Sequence, residues 1–282
     1  MTNTDHPGTR GQTSAREIKK HQSPRHALRA AALIYLTFLL ILPVVLIGWR
    51  TFQNGLGPVL EALSTPQAQS AFAVTLSVAF WTVLANTVFG VGVALLLVRH
   101  TFPGKRLLNA FIDLPVAVSP VVVGLALILV YGRFAPVGGW LEGLGLQIIF
   151  SLPGMVMAAV FISLPLVVRA VVPVLEELGN EQEQAARTLG AGPWQTFRRI
   201  TVPAIRWALA YGVVLCLARA LGEYGAVAVV SGRLVEQTQT LTLFVEERFQ
   251  NFDEGAAFAA ATALALIAVV TLLFLKILRP KD

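Results

Sequence analysis

Charge is scarce in this chain. Asp, Glu, Lys and Arg together make up 13% of its 282 residues, where a soluble domain carries about 25%. Cysteine is nearly absent: Cys216 alone, inside an apolar run, rules out a disulfide framework and any cysteine-based metal cluster. Of the four histidines, His6, His21 and His26 lie near the start and only His100 lies further along. No His-Glu-x-x-His pair and no glycine-rich phosphate loop occurs. An enzyme needs a nucleophile, a base or metal ligands gathered together. The sequence offers no such set, so the chain is expected to be neither an enzyme nor an ATPase in its own right, with no cofactor and no metal.

What is abundant is apolar length. Hydrophobic residues make up 55% of the chain. They fall into six runs, approximately 30–49, 71–98, 111–131, 150–172, 203–230 and 255–278. About 20 apolar helical residues cover a bilayer core of about 30 Å. Six such runs in a soluble protein would leave too little polar surface to cover them. The expected fold is therefore all-α, a polytopic membrane protein with about six transmembrane helices. The first run follows a polar segment of nearly 30 residues and exceeds a typical signal-peptide core, with no small-x-small cleavage site after it, so it reads as a retained span. Residues 1–29 read as a disordered cytoplasmic tail and 30–50 as the first span.

Lysine and arginine orient the spans. Seventeen of the 22 fall on one side of the predicted topology, including Arg99, Lys105, Arg106, Arg169, Arg187, Arg198 and Arg199; four fall on the other, and Arg219 lies within a span. The positive-inside rule then places both termini in the cytoplasm and accounts for a pI near 9.9 without a nucleic-acid partner.

Three spans carry irregularities. The third contains Pro115 and Pro120, and the fourth Pro153 and Pro165, which free backbone groups for other partners. The fifth contains Arg219 and Glu223, four apart and expected on one helix face. A lone charge at bilayer centre costs about 2.5–3.5 kcal/mol on insertion scales, so both should face protein or water. Gly222 and Gly225 beside them suit close helix approach. The pattern fits either a structural ion pair or a polar translocation pathway or gate formed by Arg219, Gly222, Glu223 and Gly225. A polar segment, 231–254, follows on the outer side.

The stretch between the fourth and fifth spans is the most informative. Residues 181–189 are strong helix formers, with Asn180 as a candidate N-cap. Gly190 can supply a left-handed stop, and Pro193 sits where a second helix would begin. Trp194, Phe197 and Ile200 share one face. The expected product is two short helices at 180–203 joined by a tight turn. Small residues Ala185, Ala186, Gly190 and Ala191 leave little side chain at that turn, so another protein could approach closely. An interfacial amphipathic helix is the alternative reading of the same residues.

Gln184-Ala185-Ala186, three residues, Gly190, nine residues and Ile200-Thr-Val202-Pro203 resemble, with both spacings intact, the Glu-Ala-Ala/Gly/Ile-x-Leu-Pro pattern of permease subunits of type I ABC importers. Gln184 stands where that pattern has glutamate, with Glu183 one residue before, and Val202 stands where it has leucine. Arg219-Ala-Leu-Gly-Glu-Tyr-Gly-Ala-Val-Ala-Val-Val-Ser-Gly232 followed by Thr240-Leu-Thr-Leu243 is similar to the W-type permeases of sulfate/thiosulfate importers. The resemblance covers residues 70 to 278. It implies that Glu183, Gln184, Ala185, Ala186, Gly190 and Ala191 form coupling helices that dock on a cytoplasmic ABC ATPase dimer. It further implies a second permease of the T type, an external sulfate-binding protein and residence in a bacterial inner membrane. A molybdate or tungstate permease shares the Arg-Ala-Leu-Gly-Glu core and is the nearest alternative. A self-powered secondary transporter would need more intramembrane ionisable groups than Arg219 and Glu223.

Overall fold

The computed structural model describes residues 23–278, all of them in helices and their connections, with no strand among the described residues. The chain divides into two units, 1–53 and 54–282. In the first, α1 (Ser23–Leu36) runs through a π-helical turn, Thr37–Ile41, into α2 (Leu42–Phe52). Residues 28–52 of this rod are long and apolar enough to cross a membrane. The tail expected over 1–29 lies outside the described residues up to residue 22, and the helix begins at Ser23.

The second unit contains α3 (Leu56–Ser64), α4 (Pro66–Arg99), α5 (Lys105–Ala117), α6 (Pro120–Tyr131), α7 (Pro136–Gly143), α8 (Leu152–Leu178), α9 (Glu181–Thr188) and α10 (Pro193–Thr196). A second π turn, Phe197–Thr201, leads into α11 (Val202–Leu221), followed by α12 (Gly225–Val230), α13 (Leu241–Gln250) and α14 (Glu254–Leu278). Across the described residues five helices are long and apolar enough to span a membrane, or six if the α5–α6 pair counts as one. The sequence sets many of the starts. Pro66, Pro120, Pro136, Pro153 and Pro193 all occupy first-turn positions, where a missing N–H costs nothing. Thr65 adds a side-chain cap, its Oγ1 accepting from the Ala68 N–H at 3.3 Å.

Two expected spans are not continuous helices. The third, expected over 111–131, is split at Val118–Ser119, with α5 and α6 bent by 116°. Ser119 is extended (ψ 135°) because Pro120 follows it. The fifth, expected over 203–230, ends at Leu221 and resumes as α12 after Gly222–Tyr224. At its other end the expected separate short helix at 193–201 is instead continuous with the span, giving one helix over 193–221. The π turn explains the continuity. Pro203 lacks the N–H for a normal ladder bond, and the wider turn is closed by the Val202 N–H donating to the Phe197 carbonyl. The same arrangement precedes Pro43 in the first unit, where Leu42 N–H donates to Thr37.

The helical core of the second unit is α4, α8 and α11, packed through small residues. A Cβ on Gly90 would sit 2.8 Å from Val167 Cγ1, and one on Gly212 would sit 3.0 Å from the Val167 Cα. Both neighbours therefore close on Val167 without side chains between them. Asn86, fully buried, ties the three together: its amide donates to the Val160 carbonyl (3.2 Å), Ser163 Oγ (2.8 Å) and Cys216 Sγ (3.4 Å). The buried core is rich in Ala and Val, whereas Phe80, Trp81, Val88 and Phe89 point outward. This distribution suits helices whose surroundings are apolar.

Candidate functional site

At one end of the second unit α9 and the start of the 193–221 helix are joined by the expected tight turn, although only α9 is a separate short helix. Gly190 has φ +87° and closes the turn, its N–H donating to the Arg187 carbonyl while Ala191 N–H donates to Ala186. A Cβ on Gly190 would meet nothing within 4 Å, so the turn tip is open space. Asn180 differs from expectation. Its side chain makes no cap bond, and only its carbonyl is used, by the Gln184 N–H. No residue of α9 is buried.

The candidate docking residues divide. Gln184, Ala185 and Gly190 are exposed, and Ala186 and Ala191 are half-buried. Glu183 turns the other way. Its Oε1 accepts from Arg99 Nη2 at 3.1 Å and from Thr201 Oγ1 at 2.9 Å. Arg99 Nη1 also donates to the Leu175 carbonyl at 3.2 Å. An open groove of about 250 Å³ lies over this cluster, lined by Arg187, Gln184, Pro193 and Phe197 among others. Leu189, 89% exposed, and Trp194, 68% exposed, stand at the tip. Sequence reasoning placed Trp194 on a helix face but missed Leu189; the available signal was an apolar residue directly before a left-handed glycine. Arg99 was also missed, because it is 84 residues from Glu183.

At the opposite end Arg219 and Glu223 form an ion pair of 2.6 Å, the carboxylate 2% and the guanidinium 38% exposed. They do not share one helix face as expected, since the helix ends between them. Glu223 instead bridges the break, its other oxygen accepting from the Ala226 N–H at 3.0 Å at the start of α12. A carboxylate there also suits the positive end of that helix. Gly225 packs closely, a Cβ there lying 3.0 Å from Pro120 Cβ, so the two chain breaks meet. Gly222 is exposed and ends the helix rather than contacting a neighbour. Thr242 Oγ1 donates to the Glu223 carbonyl at 3.0 Å. Beyond it the 231–254 segment is partly helical and cross-linked by Arg233–Glu246 (3.1 Å) and Arg248–Asp253 (3.6 Å).

A further charged pair escaped the sequence reading. Arg169, counted there among the cytoplasmic-side cations, lies inside α8 and binds Asp113 of α5 with two nitrogens, Nε–Oδ1 2.8 Å and Nη2–Oδ2 2.6 Å. The 56-residue separation hides it from local pattern.

Comparison with known proteins gives three findings. The family described as binding-protein-dependent transport system inner membrane component matches residues 86–281. A protein of Synechocystis sp. named sulfate transport system permease protein CysW is 49% identical over 257 residues, 91% of this chain and 93% of its own length. The protein of the same name in Escherichia coli K12 is 48% identical over 85% of this chain and 82% of its own, and that organism's CysT is 39% identical over 86% and 87%. Among solved structures, a bacterial alginate ABC transporter in complex with an alginate-bound periplasmic protein contains a chain that superposes with a TM-score of 0.76 at 18% identity. The match covers 92% of this chain and 94% of that one, a likeness of fold.

Proposed function

The chain belongs to the binding-protein-dependent transport system inner membrane component family, and from that premise we propose that it is the W-type permease of an ATP-driven importer of sulfate and thiosulfate. The single observation that carries the substrate is the 49% identity, over nine-tenths of both chains, to a permease named for sulfate transport. The chain is a multi-pass membrane subunit, and its family supplies the pore, so ATP hydrolysis belongs to a partner. The proposed assembly adds an ABC ATPase dimer in the cytoplasm, a T-type second permease and an external sulfate-binding protein, in a bacterial inner membrane. That Escherichia coli has both a CysW and a CysT similar to this chain supports a pore of two unlike halves.

In this reading the tip formed by Gln184, Ala185, Ala186, Leu189, Gly190, Ala191 and Trp194 seats in a cleft of the ATPase. ATP-driven closure moves that tip, and the unbroken 193–221 helix carries the movement along about 40 Å, at 1.5 Å per residue. It ends at the Gly222–Tyr224 break, where the Arg219 guanidinium is partly exposed beside a buried carboxylate. Here the pathway passes Arg219, Gly222, Glu223 and Gly225. The cation favours a dianion, while Glu223 prevents an uncompensated charge when the site is empty. Uptake of radiolabelled sulfate in cells lacking this chain tests the proposal. Restoration by the chain, with competition by thiosulfate and not by molybdate, is expected. Competition by molybdate at equal concentration would move the substrate to the molybdate/tungstate class.

A further inference from the structure

Helix α9 has no buried residue. Hydrophobic burial, the usual means of fixing a helix against its neighbours, is therefore weak for the segment that must move with the ATPase. What holds it is polar. Arg99 is the last residue of α4 and Leu175 is one of the last four carbonyls of α8, a group left without an intrahelical partner at a helix end. Arg99 Nη1 supplies that partner, and Nη2 meets Glu183. Glu183 Oε1 in turn accepts from Thr201, the last residue of the π turn that begins the fifth span. Four elements meet at one carboxylate oxygen and one guanidinium, each side chain only 13% exposed.

A largely buried ion pair is a poor device for stability, because desolvation offsets most of the attraction. This one is further from optimal, since Arg99 Nε is buried without a hydrogen-bond partner. Its geometry is nonetheless demanding, because two donors from different elements share one oxygen. We infer that Glu183 is a positioning residue and not an ATPase contact: through Arg99, Thr201 and the Leu175 carbonyl it makes the docking turn and the inner ends of the second, fourth and fifth spans move as one body. The inference rests on reading 181–203 as the docking element. It assigns to Gln184, one residue on and exposed, the contact that Glu183 does not make. Bending during transport is then left to the two breaks at Val118–Ser119 and Gly222–Tyr224, which lie outside the clamped body.

The test uses the complete transporter, purified and returned to lipid vesicles. Glu183→Gln and Arg99→Gln are each expected to retain ATPase subunits and basal ATP hydrolysis within about twofold of the parent. Stimulation of hydrolysis by the loaded binding protein, and sulfate uptake, are expected to fall tenfold or more. The double variant should be no worse than either single one, because one interaction is lost in each case. Thr201→Val, which removes a single hydrogen bond, should show a smaller drop of the same kind. Loss of ATPase capture in parallel with uptake in Glu183→Gln would make Glu183 a docking contact and overturn the inference. Unchanged stimulation and uptake would also overturn it. Gly190→Arg is the control for the underlying reading: if it still captures the ATPase, the docking assignment fails whatever Glu183 does.

Discussion

Gly190 offers a quantitative test of the docking turn. Its φ of +87° lies in the left-handed region, where a residue with a Cβ costs roughly 1–2 kcal/mol and asparagine much less. Within this chain that is the whole penalty, since an added Cβ would meet nothing within 4 Å. A cost of about 1–2 kcal/mol is a factor of roughly 5–30 in the equilibrium constant between intact and opened turn. Gly190→Asn should therefore bind the ATPase within a few-fold of the parent, and Gly190→Ala should weaken binding by at most roughly 5–30-fold. Gly190→Arg has the alanine backbone cost plus a side chain that is harmless in the isolated subunit. Any loss beyond that of Gly190→Ala measures the partner's occupancy of the space at the tip. The assay is capture of purified ATPase subunit by permease in detergent, titrated by fluorescence, with permease insertion checked separately. An arginine variant that binds as well as the alanine variant would refute the steric account of the turn.

Three further predictions follow from packing and charge. Arg219→Ala leaves the buried Glu223 carboxylate uncompensated and should destabilise the subunit by about 2–3 kcal/mol. That is less than a fully buried pair would lose, because Arg219 is 38% exposed; adding Glu223→Gln should recover most of it in thermal unfolding, and failure to recover would mean the pair is not the cause. Gly212→Val pushes a Cβ to 3.0 Å from Val167 Cα and should cost about 1–3 kcal/mol, whereas Gly92→Val, with nothing within 4 Å, should be silent. Equal melting temperatures for the two would contradict the close packing of α8 and α11. Asn86→Ala removes the amide hydrogen bonds to Val160, Ser163 and Cys216 and should cost about 1–2 kcal/mol, at about 0.6 per intramembrane bond; a gain in stability would show that its buried, unpaired Oδ1 dominates instead.

How much of this was legible in the sequence depends on the range of the interaction. Apolar runs locate four of the six expected crossings as continuous helices, since hydrophobic length is a local property. The left-handed glycine at 190 and the first-turn proline at 193 are local too, and both appear where expected. The two broken spans were obscured because apolarity continues through each break. The extended residue before Pro120 and the helix end at Gly222 are small signals inside long hydrophobic runs. Arg99–Glu183 and Asp113–Arg169 join residues 84 and 56 apart. Nothing in local spacing pairs them, so Glu183 read as a docking residue and Arg169 only as a cytoplasmic-side cation. The π turn at 197–201 follows from Pro203 in hindsight of its geometry. Sequence periodicity alone does not distinguish a helix that stops before a proline from one that widens to pass it.

The central claim is that this chain is half of a sulfate pore driven by another subunit's ATP. ATP-dependent uptake of radiolabelled sulfate into vesicles reconstituted with this permease, a T-type permease, the ABC ATPase and the sulfate-binding protein tests it most directly. The account predicts uptake that needs this chain, internal access of the ATPase to ATP and the external binding protein together. Uptake that persists without the ATPase, or that is equally rapid when this chain is omitted, would contradict it.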